Sequence, residues 1–211
     1  MCDYTKYMCD RFTADTGIAL NRVVDTPYVT NDVWNDPSEE PGKFASIAPS
    51  HAATSLFLDR VGRPDLAAGT QRLCSKVSAW TTVHDKALIK LMLFAACTAS
   101  AVLKGTLSPE DLLTFVILCY SDADLNGNSE TSKSVSGWWV ELFCAITGHT
   151  FPLSWGLSQQ TSTASATAES ETIAFSHAAR REALPIQMLL EEALNRPVRI
   201  VCMIDNVRRF R

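Results

Sequence analysis

Residues 117–128, ILCYSDADLNGN, carry an apolar stretch into two carboxylates, Asp122 and Asp124, one residue apart. Side chains alternate along a strand, so a strand through this stretch turns both to one face. A second apolar stretch, PVRIVCMID, ends the same way in Asp205. Between the two, TASATAESETIAF opens a helical pattern with Glu169 and Glu171 at its start, where the helix dipole favours negative charge. Two residues apart on a helix means different faces, so at most one of them turns inward with the strand aspartates. Two strand-end aspartates and one helix-start glutamate, converging, form an oxygen-only anionic cage. Such a cage repels itself unless a divalent cation fills it, and its hard oxygen donors suit Mg²⁺ or Mn²⁺ rather than zinc. Two such ions, about 3.5–4 Å apart, clamp the attacking water and the leaving oxygen of a phosphodiester. The plain alternative is structural: aspartate is common in turns, DLNGN is turn-rich, and glutamates early in a helix commonly cap it or face water.

The elements that must position these groups follow from patterning. Residues 115–123 read as a strand, SVSGWWVELFCAI as a second and HTFPLSWGLS as a third, with the turn at Thr147-Gly148 between them. The Ser/Thr tract from Ser158 to Ser170 reads as a loop whose hydroxyls cap an incoming helix. That helix runs from about Thr167 to Leu194, and Pro185 must break or kink it. PVRIVCMID is the fourth strand. Trp138 and Trp139 fall on opposite faces of the second strand, one for the core and one for the other surface.

The first half is patterned as helix. Residues 1–12 fit a short helix, Ser50 opens another that stops at Gly62, and Pro64 suits a first helical turn. Val83, Ala87, Leu91, Phe94-Ala95, Thr98 and Val102 recur at helical spacing, with Gly105 as the stop. Residues 25–50 hold four prolines and many turn formers, and read as an irregular linker. The expected organisation is therefore a helical segment over 1–108 and an α/β (α+β) domain over 109–211.

Composition excludes several classes. A hydrophobic fraction of 46% and a charged fraction of 20% are ordinary for a globular protein, and a net charge of −4 marks no global nucleic-acid binder. The seven cysteines are scattered and never spaced C-x-x-C, which implies a reducing, intracellular compartment and no zinc site. No apolar run is long enough to span a bilayer, so no membrane partner is expected. YSDAD is not the polymerase signature Y-x-D-D, because position 123 is alanine; the polymerase active site is absent. ADTG, Ala14 to Gly17, echoes the aspartic-protease turn without the apolar strand that precedes it there, and reads better as a surface turn. The four histidines share no metal-ligand spacing and read as structural or solvent-facing.

YSDADLNGNSETSKSVSGWWVEL, PLSWGLSQQTSTASATAESETIAF and VCMIDN together resemble the ribonuclease H domain of copia-type long-terminal-repeat retrotransposons. KSVSG (Lys133 to Gly137) and LSWGLSQQ (Leu153 to Gln160) stand in the family's order and spacing, and GRPDLAAGTQRLCSKVSAWTTVHDKALIKLM resembles the segment that closes its reverse transcriptase. The resemblance implies a ribonuclease H-like mixed sheet with flanking helices, preceded by a mainly helical thumb or connection segment. It implies two Mg²⁺ (or Mn²⁺) ions and hydrolysis of the RNA strand of an RNA–DNA hybrid. The remainder of a reverse transcriptase polyprotein would be a further partner. The setting would be the cytoplasm, the nucleus or a virus-like particle. By position, Asp122, Glu169 and Asp205 match the catalytic, metal-holding carboxylates, and Asp124 a supporting one. Glu171 is then expected to point away; the reverse placement of the two glutamates reverses the assignment. Leu125 stands in place of the family's Trp, Thr172 in place of its Tyr, and two residues separate Cys202 from Asp205. The family pattern also continues past the point matching Arg211, so a C-terminally truncated domain is expected. That leaves an inactive fragment, acting as a nucleic-acid-binding or structural module, as the alternative to a working nuclease.

Overall fold

The computed structural model describes residues 2–37, 40–128 and 132–203. It divides into two units between Leu103 and Lys104. Residues 104–107 go with the second unit because Thr106 N–H donates to the Thr150 carbonyl and Leu107 packs into that unit's core. The sequence pattern, which changes at Pro109, placed the division a few residues later.

The first unit is helical: α1 (Cys2–Thr16), α2 (Asn31–Trp34), α3 (Ala48–Val61), a 3-10 turn at Pro64–Leu66, α4 (Ala67–Cys74) and α5 (Thr82–Cys97). Its core is made by Met8, Phe12, Leu58, Leu66, Leu73, Leu88, Leu91 and Met92, all fully buried. Each such side chain contributes roughly 1.5–3 kcal/mol of transfer free energy. ADTG ends α1: Gly17 takes φ +72 as the left-handed stop, Thr16 Oγ1 donates to the Phe12 carbonyl, and Asp15 accepts from buried His51. Residues 40–47 lack regular helix but are tied down. Buried Asp85 accepts from the Lys43 and Phe44 amides and from Trp80 Nε1, which ties this stretch to the start of α5. Helix α5 ends at Cys97, well before Gly105. Thr98 caps it, with Oγ1 donating to the Phe94 carbonyl and accepting from buried Arg63, and residues 101–108 are irregular.

The second unit is a mixed α/β layer. Strands β1 (Val116–Asn128), β2 (Lys133–Phe143), β3 (Thr150–Gln159) and β4 (Ile200–Met203) form one sheet in the order β3-β2-β1-β4. The first three pair antiparallel and β4 runs parallel to β1. Strand β1 continues through the turn-rich DLNGN, with a register shift between Asp124 and Asn128. Pro152 is tolerated because β3 pairs on one side only in the described sheet.

The crossover from β3 to β4 is helical: α6 (Thr167–His177), a π-helical turn (Ala178–Ala183) and α7 (Leu184–Leu194). The wide turn precedes Pro185, which sits in the first turn of α7, where a missing N–H costs least. These helices cover the sheet face formed by Ile117, Cys119, Trp138, Val140 and Leu142, against Ala178 and Ala183. Strand β2 alternates strictly, burying Ser134, Ser136, Trp138, Val140 and Leu142 on that face.

Trp138 fits there because Gly156 lies opposite it. A Cβ on Gly156 would lie 2.6 Å from Trp138 Cζ2 and 2.9 Å from Cη2. Gly156→Ala is therefore expected to destabilise the second unit by about 1–3 kcal/mol through overpacking. A urea midpoint equal to that of the wild type would show that the indole moves aside freely.

Candidate functional site

Each strand aspartate owes its direction to register. Ser121 and Ala123 are buried towards the helices, with Ala123 opposite Ser136. Alternation then sends Asp122 and Asp124 to the opposite, open face, and both are exposed. Asp122 Oδ1 accepts the Ala123 amide at 2.9 Å. Among the described residues neither aspartate has a lysine or arginine within ion-pair distance.

The helix glutamates are placed the other way round from expectation. Glu169 is exposed, and its Oε2 accepts the Ser165 amide at 2.8 Å and the Ser165 hydroxyl at 2.9 Å. The backbone N–H first, and the hydroxyl second, hold its carboxyl below the ordinary value. Thus the first-turn carboxylate closes the entry to α6, and no hydroxyl of the Ser/Thr tract caps the helix. Glu171 is half-buried instead, beside the fully buried Ser170. Gln160 anchors this end of α6: its Nε2 donates to Ser136 Oγ and to the Ser170 carbonyl. Asp205 lies outside the described residues. Among the described residues no three His, Cys, Asp or Glu side chains gather as a metal group.

The open face holds a row that motif reasoning missed. Tyr120 pairs with Met203 on one side and Trp139 on the other, and Trp139 pairs with Trp155. The four side chains therefore cross the sheet in one line. A cavity of about 480 Å³ lies at the Met203–Tyr120–Trp139 part of this row, lined also by Ser121, Asp122, Gly137 and Trp138. Gly137 provides the floor beside Asp122. The signal was present in the sequence: positions 118, 120, 122 and 137, 139, 141 share faces by alternation. It required the pairing register to become a row.

The histidines serve structure. His84 Nδ1 accepts the Thr81 amide at the start of α5, and His177 packs on Trp138 with ring centroids 4.8 Å apart. His149 Nδ1 donates to buried Asp111 at 2.7 Å. Asp111 also accepts from the Ser108 amide and Thr147 Oγ1, and these donors, the amide foremost, hold its carboxyl well below the usual carboxylate range. The cluster ties the turn before β1 to the β2–β3 turn. Among the described residues no helix is long and apolar enough to cross a membrane.

Comparison with protein-family models, with curated proteins and with solved structures finds no match for this chain.

Proposed function

We propose that this chain is the ribonuclease H part of a copia-type retrotransposon polyprotein, acting on the RNA strand of RNA–DNA hybrids. One observation carries the reading. The motifs quoted above fall in order on a sheet arranged β3-β2-β1-β4, with β4 parallel to β1 and Asp122 on the internal strand β1. Divalent ions held by Asp122 would supply an activated water and neutralise charge on the scissile phosphate. The protein's own task is to present Asp122 on a rigid strand. Of the two helix carboxylates, Glu169 is exposed and Glu171 half-buried, so the reading assigns Glu171 as the helix carboxylate that acts with Asp122. Asp205 remains the third carboxylate by its position in the sequence.

The test is an RNA–DNA hybrid cleavage assay in Mg²⁺ with two variants. Glu171→Gln is expected to remove cleavage. Glu169→Gln is expected to leave it, with a small loss of helix stability. Equal activity in both variants and wild type removes the helix carboxylate from the mechanism.

A second reading, a module that holds hybrid without cutting it, is favoured by one feature. Asp122 faces away from the sheet surface that α6 covers. Hybrid binding without Mg²⁺-dependent cleavage, in an otherwise folded protein, selects this reading over the first.

A further inference from the structure

The row Met203–Tyr120–Trp139–Trp155 is flanked by carboxylates. Asp122 stands two residues along β1 from Tyr120, and Glu141 two residues along β2 from Trp139, in opposite directions across the row. Same-face neighbours on a strand are about 7 Å apart, so each carboxylate borders the aromatic surface. Trp139 Nε1 donates to Glu141 Oε2 at 3.0 Å, and burial first, with the neighbouring Glu141 carboxylate second, raises the pKa of the Tyr120 hydroxyl. The Trp139 bond fixes the carboxylate while leaving lone pairs for a further donor. Among the described residues no lysine or arginine pairs with Asp122, Asp124 or Glu141. The rings of Trp139 and Trp155 lie 5.7 Å apart at 30°. Met203 is 45% exposed, so apolar surface remains uncovered at this end of the row.

We propose that this face binds a basic peptide segment, with an arginine side chain laid over Tyr120 and Trp139 between Asp122 and Glu141. Ring faces attract a cation, and the flanking carboxylates supply the opposite charge. A guanidinium stacks on an aromatic plane and still donates in its own plane, which suits this row better than an ammonium does. The same carboxylates repel phosphate, so single-stranded nucleic acid stacking on the rings is disfavoured. The proposal does not rest on the nuclease reading, and its assay contains neither nucleic acid substrate nor divalent ion.

The test titrates the 211-residue chain with acetyl-Arg-Arg-Arg-amide in metal-free buffer and follows the indole N–H signals by NMR. The expected result is saturable movement of the Trp139 and Trp155 signals, with Trp138, on the covered face, unmoved. Acetyl-Ser-Ser-Ser-amide is expected to move none of them. Glu141→Gln, which keeps an acceptor for Trp139, is expected to weaken binding by at least about tenfold. Trp155→Ala, at the edge of the row, is expected to weaken it less while preserving the far-ultraviolet spectrum. No saturable movement, or equal affinity in Glu141→Gln, overturns the proposal. So does tighter binding of an oligothymidylate than of the arginine peptide, or self-association that shifts these indoles before peptide is added.

Discussion

Replacing Asp122 with asparagine is expected to abolish Mg²⁺-dependent cleavage of RNA in an RNA–DNA hybrid. The substitution preserves size and the local bond to the Ala123 amide, since the asparagine side-chain oxygen still accepts. What it removes is one negative charge from the open face of β1. A divalent ion is held by charge and hard oxygen, and an amide oxygen supplies only the second. A loss of on the order of a hundred- to thousand-fold in rate is expected for deleting such a group from a preorganised site. Hybrid affinity should change little, because phosphate contacts elsewhere carry most of it. Asp124→Asn, on the same face but assigned only a supporting role, is expected to cost less. The assay belongs in the reading frame in which residues 1–211 occur, with wild type and variant compared at equal protein and millimolar Mg²⁺. If both cut equally well, Asp122 holds no ion. If both bind and neither cuts, the non-cleaving reading stands.

Much of the second unit was legible because period-two alternation, turn residues and Pro185 agree with one another. All four strands, the helix between the third and fourth, and the break before Pro185 were readable at that level. What alternation cannot supply is pairing. Gly156 beneath Trp138, and the line from Met203 to Trp155, depend on which residues stand opposite one another across the sheet. The glutamate assignment shows a second limit. Glu169 and Glu171 look equivalent by propensity. Burial separates them, Glu169 being exposed and bonded to Ser165 and Glu171 half-buried, and that placement depends on how the preceding loop arrives. The end of α5 shows a third. Apolar spacing continues to Val102, but Thr98 satisfies the last carbonyls and meets buried Arg63, a tertiary contact that overrides local pattern.

In the first unit, Asp59→Asn is expected to raise stability at neutral and alkaline pH and to change nothing at pH 4. Asp59 lies on α3 at 3% exposure. Burial pushes its carboxyl up to about 7, and the exposed Arg60, 3.7 Å away, offsets only part of that. An unfolded aspartate titrates near 3.9, as a rough reference. Between those values the folded state binds the extra proton, so stability falls as pH rises from about 4 to about 7 and is level beyond. The raised value thus works against the fold at neutral pH, where a buried charge must be carried or a proton retained. A shift of this size corresponds to roughly 2–4 kcal/mol over the window. Asparagine keeps the shape without the charge, so the variant should recover a large part of this at pH 8. Urea unfolding at pH 4, 6 and 8 is the measurement, with the variant's stability changing less across the series. A wild type whose stability rises from pH 4 to 7, with the variant following in parallel, would show that Asp59 is ionised in the fold at no cost. Its environment would then have to supply the compensation that Arg60 alone does not.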